Sequence, residues 1–140
     1  MLLIIFFISF IFPIINIVGE FNQSYQISED DLNIIVLPDV VFHENKDDRR
    51  FQYGHKFDVD YGIRNSGTWT TLDNGDMIWR FGIKSKDAYA IKLQFDQFYI
   101  PKGSTVIIYN EFKDIVYGPY TSNDNTSSKT FGAPLIGGEI

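Results

Sequence analysis

Apolar and polar residues alternate with a period of two along most of the chain from Tyr53 onward, the pattern of strands with one buried face. In Phe57-Asp58-Val59-Asp60-Tyr61 the apolar residues take one face and both aspartates the other. In Met77 to Ile83 the odd positions Met77, Trp79, Phe81 and Ile83 are core candidates, while Arg80 and Lys84 point outward. The next run places Tyr89, Ile91, Leu93 and Phe95 inward, with Lys92 and Gln94 outward. Ser104 to Tyr109 (STVIIY) is more uniformly apolar, as befits a central strand of a sandwich. Asn33 to Leu37 (NIIVL) is a short β-branched run closed by Pro38, which has no N–H to donate to a ladder. No stretch has a convincing 3.6-residue period.

Between these runs lies turn chemistry. Asp73-Asn74-Gly75-Asp76 separates Trp69 to Leu72 from Met77 to Ile83, and Asn-Gly supplies the positive φ of a type I′ hairpin turn. Pro101-Lys102-Gly103 and Gly118-Pro119 mark two further turns, and Ser122 to Lys129 is a polar loop. His43 to Arg50 (HENKDDRR) is a charged linker or solvated turn. Strands recurring about every 10 residues with short turns predict an all-β fold, an antiparallel β-sandwich or jelly roll.

The N-terminal segment breaks the alternation. Leu2 to Val18 (LLIIFFISFIFPIINIV) is apolar except for Ser9, Pro13 and Asn16, and no charged side chain precedes Glu20. Its 17 residues are at the short limit for a bilayer-spanning helix, and Pro13 would kink one. It reads as a secretory signal peptide cleaved after Gly19; the alternatives are a retained anchor and a piece of buried core. Signal peptide and anchor alike export the rest of the chain, so the expected localisation is secreted or cell surface. The expected organisation is a signal peptide over 1–19, a lead-in strand and charged linker over 20–52, and a β-sandwich module over 53–140.

Charge and cysteine content narrow the classes. Twelve Lys and Arg against 18 Asp and Glu give a formal net charge of -6, which argues against a nucleic-acid partner. With 44% hydrophobic and 16% aromatic residues among 140, the chain can build the core of one domain. The absence of cysteine removes disulfides, thiol catalysis and thiolate metal sites together, leaving an exported fold held by packing alone.

A series of short motifs then becomes specific. Phe57-Asp58-Val59-Asp60, Asn65-Ser66-Gly67-Thr68-Trp69-Thr70-Thr71-Leu72, Asn74-Gly75-Asp76 and Trp79-Arg80-Phe81-Gly82-Ile83 come in order, and then Pro101-Lys102-Gly103, Gly118-Pro119-Tyr120 and Ala133-Pro134-Leu135-Ile136-Gly137-Gly138-Glu139. The series resembles the N-terminal pro-region of secreted trypsin-like serine peptidases of the lysyl endopeptidase type, over roughly Leu37 to Ile140. Similar modules stand at the N-terminus of other exported bacterial proteins. The resemblance implies a further strand rich in Val, Leu and Glu after these motifs and then a catalytic domain, so the module looks incomplete at its C-terminus and the chain like a fragment. The function implied is a non-catalytic pro-region whose partner is a downstream peptidase domain in cis. The alternative is a binding or adhesion module, for carbohydrate or protein, of a cell-surface protein. A membrane is involved only through the signal segment.

The chain's own chemistry agrees with a non-catalytic role. A serine peptidase needs a glycine-flanked nucleophile, a histidine base and a buried aspartate, and neither Gly-Asp-Ser-Gly-Gly nor Gly-x-Ser-x-Gly is present. Ser66 is the nearest imitation and reads as a turn serine. His43 lacks the second histidine of a zinc helix, and His55 lies near a strand start. No cofactor is expected. Asp73, Asn74 and Asp76 are the calcium candidates, crowding one turn, although a hard cation needs six or more oxygens. Tyr109, Tyr117 and Tyr120 are the candidates for an aromatic ligand-binding strip, whereas Trp69, Trp79, Phe81, Tyr89, Phe95 and Phe98 read as core. Asn22-Gln23-Ser24 and Asn125-Thr126-Ser127 fit the glycosylation pattern, which matters only in a eukaryotic secretory pathway.

Overall fold

The computed structural model describes the backbone of Leu2–Ile8 and residues 32–40 and 54–137. Val41 and Phe42, His43 to Arg50, and Asn22 lie outside the described residues. The protein is all-β. Among the described residues ten strands form three sheets, and the single helical turn is the 3-10 turn Ser122–Asp124.

The main sheet contains β1 (Leu2–Ile8), β2 (Ile34–Val36), β3 (Thr68–Thr71), β4 (Met77–Lys84), β7 (Ser104–Asn110) and β8 (Val116–Tyr120). Its spatial order is β2-β4-β1-β7-β8, with β3 also paired to β4. β2 and β3 divide one edge of β4: Thr68 to Thr71 face Arg80 to Met77, and Ile34 to Val36 run parallel to Gly82 to Lys84. The lead-in strand is therefore part of the module's sheet, and its parallel pairing departs from the antiparallel expectation. The two other sheets are minimal antiparallel ladders, β5 (Ala90–Ile91) with β10 (Ile136–Gly137) and β6 (Gln94–Phe95) with β9 (Phe131–Gly132).

Alternation on β4 and β7 divides the core. Trp79, Phe81, Ile83, Val106 and Ile108 face one side, where Phe98, Ile100, Ala133 and Ile136 pack against them together with Ile91, Leu93, Phe95 and Phe131 from the small ladders. Ile78, Ile107 and Tyr109 face the other side and meet Leu32, Leu72 and Val116. Coverage on both faces explains why STVIIY is nearly continuous apolar sequence. It also corrects the placement of Arg80, which shares the Ile78 face: its side chain is only 5% exposed, and Nη2 lies 3.4 Å from Thr70 Oγ1.

Alternation overstates the regular structure in two places. Residues 54–60 form no strand; the Asp60 carbonyl accepts from Asn65 Nδ2 at 2.8 Å and Tyr61 packs its ring on Phe81, so side chains and not a ladder hold this strap. Tyr89, expected inside, is 96% exposed, because the run from Ala88 to Phe95 breaks into two two-residue ladders and only Ile91, Leu93 and Phe95 reach the core.

Two turns also differ from expectation. In the β3–β4 hairpin Gly75 N–H donates to Leu72 C=O and Leu72 N–H to Asp76 C=O, and only Gly75 among the loop residues has a positive φ, +87°. This is a three-residue loop with a left-handed glycine at its end, not a two-residue type I′ turn. Gly118-Pro119 is no connection between strands: it lies inside β8, where the register with β7 shifts between Val106 and Ile108. Pro101-Lys102-Gly103 does turn the chain, with Ser104 N–H donating to Pro101 C=O and Gly103 at φ +84°.

Leu2–Ile8 pairs along its whole length, antiparallel to β4 from Ile83 to Met77 and antiparallel to β7 from Asn110 to Ser104. The segment that reads as a signal peptide thus supplies the strand between the two most buried strands of the protein.

Candidate functional site

The densest arrangement of motif residues lies where the strap before β3 meets β4. Asn65 organises it: Oδ1 accepts from Gly62 N–H at 2.8 Å and from Ser66 Oγ at 3.0 Å, while Nδ2 donates to Asp60 C=O. Two indoles then fix the turn to the sheet. Trp79 Nε1 donates to Ser66 C=O at 2.7 Å, and Trp69 Nε1 to Ile63 C=O at 3.0 Å. Trp69 and Trp79 are direct register partners, and Trp79 stacks on Phe81 with ring centroids 5.6 Å apart. Between them the backbone passes so close to Trp79 that Gly67, at φ +78°, has no room for a side chain.

The same bonds hold Ser66 in the turn. Its hydroxyl is bonded to the neighbouring amide and its carbonyl to an indole, which is the work of a turn residue. His55 packs its ring edge on Phe57, and His43 lies outside the described residues. Asp58 pairs with Lys56 on the exposed strap, a solvated contact worth little.

The calcium candidates are brought together, but in a way that uses their polar atoms for the hairpin. Asn74 Nδ2 donates to Asp76 Oδ2 at 2.8 Å, and Asn74 Oδ1 accepts from Asp76 N–H at 3.0 Å. The Asn74 amide therefore presents a nitrogen, not an oxygen, to the Asp76 carboxylate. Among the described residues no group of three or more His, Asp or Glu is placed to hold a metal ion.

The three tyrosines are not brought into one strip. Tyr109 is buried on the Ile78 face, whereas Tyr117 and Tyr120 pack against the opposite core. Tyr117 Oη donates to Leu135 C=O at 3.0 Å, and the Tyr120 ring meets Phe131 edge-on at 4.7 Å. Burial raises the Tyr120 pKa, and the nearby Asp124 carboxylate and Tyr117 add to the rise. Because the folded state holds this phenol neutral more firmly than the unfolded state does, its contribution to stability is complete below pH 10 and is lost as pH climbs above it. Alkaline titration monitored by tryptophan fluorescence should show a loss of stability above pH 10 that is smaller in Tyr120→Phe.

An apolar rim stays exposed beside the strap. Tyr61, Ile63 and Trp69 are each about two-fifths exposed and are held in place by the contacts just described. Such a rim can pack against another surface, and its shape is fixed in advance. The sequence pattern missed it because strand spacing assigned Trp69 to the core; the signal was its position on a four-residue strand at the sheet's edge.

Sequence reasoning also passed over Asn125, noted only as a glycosylation acceptor. Its Oδ1 accepts from Ile100 N–H and its Nδ2 donates to Ile100 C=O, both at 2.8 Å, so the amide acts as a one-residue strand beside the buried Ile100. Compared with known proteins, the chain matches no family model and no solved structure. Among the described residues no helix is long and apolar enough to cross a membrane.

Proposed function

We propose that this chain is the non-catalytic N-terminal pro-region or accessory module of an exported protein, of the kind that precedes a trypsin-like serine peptidase. One observation supports the reading above others. The residues that carry the resemblance sit where they build the fold: Asn65 and Gly67 in the turn, Trp79 and Phe81 in the core, Gly103 and Gly118 at backbone irregularities. A series of motifs spent on shape suits a module that offers a preformed surface to a neighbour, and it suits a catalytic centre poorly.

The rim of Tyr61, Ile63 and Trp69 favours a second reading, a binding or adhesion module of a cell-surface protein, since fixed exposed aromatics serve protein or carbohydrate contacts equally well. The gene separates the two. A trypsin-like domain encoded after codon 140 supports the pro-region, repeats or a sorting tail support the binding module, and a stop codon there supports an independent small secreted β protein. The secreted protein should begin close to Glu20 by mass spectrometry, and the purified chain should not cleave Lys or Arg peptide esters.

A further inference from the structure

Asn74-Gly75 is the only Asn-Gly pair in the chain, and the loop that holds it is exposed from Asp73 to Gly75. An asparagine followed by glycine is well suited to cyclise on itself, because the next amide nitrogen approaches the side-chain carbonyl carbon with no Cβ in the way. We propose that Asn74 is a modification site: it converts spontaneously to aspartate and isoaspartate through a succinimide shared with Gly75, at a rate set by opening of the β3–β4 loop. The proposal is independent of what the module binds and of whether the chain is exported.

The reaction needs water and no other reagent. The Gly75 nitrogen gives up its proton and bonds to Asn74 Cγ, the Cγ–Nδ2 bond breaks, and Nδ2 leaves as ammonia carrying that proton. Water then opens the cyclic imide at either carbonyl. Opening at Cγ leaves an aspartate in an ordinary backbone. Opening at the main-chain carbonyl leaves an isoaspartate, whose backbone runs through Cβ and Cγ. In sum, one amide and one water become a carboxylate and an ammonium ion.

The folded loop holds every group that this reaction uses. Gly75 N–H, whose nitrogen is the nucleophile, donates to Leu72 C=O at 2.9 Å. Asn74 Oδ1 accepts from Asp76 N–H at 3.0 Å and Nδ2 donates to Asp76 Oδ2 at 2.8 Å, so a single residue clamps both ends of the amide. Ring closure requires the Gly75 bond to break and the amide plane to turn away from Asp76. These bonds lie in an exposed loop at the end of a four-residue strand, where opening does not require the core to unfold. Where opening and closing are fast, conversion tracks the open population. Three bonds of ordinary net strength slow it roughly ten- to a thousandfold relative to the unfolded chain.

Conversion removes the clamp that delayed it. An aspartate at position 74 has no amide hydrogen to give Asp76, and it sets two carboxylates against each other where a donor and an acceptor stood 2.8 Å apart. Asp73 adds a third carboxylate to the same loop. Isoaspartate also lengthens the backbone of a loop whose length sets the register of β3 on β4. The bond that closes the loop, from Leu72 N–H to Asp76 C=O at 2.8 Å, is the first to weaken. Among the described residues β3 pairs only with β4, over Thr68 to Thr71, so the loosening runs from the loop toward Trp69.

The test follows position 74 in the purified full chain at neutral pH, with and without urea above the unfolding midpoint, by peptide mapping that separates asparagine, aspartate and isoaspartate. Conversion is expected in urea and should be roughly ten- to a thousandfold slower in the folded chain. Asp76→Ala removes the partner of Nδ2 but no backbone group, so it should raise the folded rate several-fold and leave the rate in urea unchanged. Asp76→Asn keeps an acceptor oxygen and should hold the folded rate near the original, which separates the clamp from a general loss of stability. Folded protein already converted at position 74 should exchange the Leu72 and Gly75 amide hydrogens faster, with those of Val106 and Ile108 unchanged. Absence of conversion in urea, or equal rates with and without urea, overturns the proposal. An Asp76→Ala rate equal to the original, or an Asp76→Asn rate equal to that of Asp76→Ala, overturns the part assigned to Asp76. Unaltered exchange at Leu72 after conversion overturns the loosening of the hairpin.

Discussion

Gly67→Ala is expected to lower the stability of the protein by about 3 kcal/mol or more, enough to unfold a marginal domain at moderate temperature. Two independent costs combine. At φ +78° a residue with a Cβ is strained by about 1–2 kcal/mol. The Cβ would also stand 2.5 Å from Trp79 Nε1, 2.7 Å from Trp79 Cε2 and 2.6 Å from the Arg80 carbonyl oxygen. None of these can yield cheaply: the indole is stacked on Phe81 and hydrogen-bonded to Ser66, and the carbonyl belongs to β4. Overpacking of this kind costs about 1–3 kcal/mol. Gly75→Ala isolates the first cost, since Gly75 has φ +87° but open space around its missing side chain. Its urea midpoint should fall by less than half as much, with the same slope. Equal losses in the two variants would show that contact with Trp79 contributes nothing.

Asn125→Ala should cost about 2–3 kcal/mol, measured in the same way. The substitution leaves both the N–H and the C=O of Ile100 without their partner, and each unmatched buried backbone group costs about 1–3 kcal/mol unless water reaches it. Asn125→Asp keeps an acceptor for the N–H but turns a carboxylate oxygen toward the carbonyl, so it should not rescue stability. A fully stable aspartate variant would mean that the donated bond to Ile100 C=O is dispensable.

Much of the sheet was legible because its cause is local. Gly75 punctuates a hairpin, Pro101-Lys102-Gly103 turns the chain into β7, and Trp79, Phe81 and Ile83 of β4 hold the core as spacing predicts, whereas Met77 at the strand's start is exposed. The errors share another cause. Alternation reports that a segment could pair and says nothing about whether a partner is available, so residues 57–61 look like a strand and Tyr89 like core. Arg80 was misplaced because period two identifies two faces without revealing that both are covered. Leu2–Ile8 shows the ambiguity at its sharpest: a short uncharged run meets the needs of a membrane-seeking export segment and of a strand buried on both faces equally well. Of the candidate site residues, Asn74 and Asp76 are bonded to each other within the hairpin loop, whereas the tyrosines part company because Tyr109 lies on the other face of the sheet from Tyr117 and Tyr120.

The irregular edges of the main sheet have a consequence for life at high local concentration. One border is β8, interrupted by Gly118-Pro119, where the proline has no N–H to offer and the register slips. The other is shared between β2 and β3, three and four residues long and set in opposite directions. Among the described residues neither border presents a long, regular template, so copies at high concentration have little opportunity to join rim to rim into fibrils.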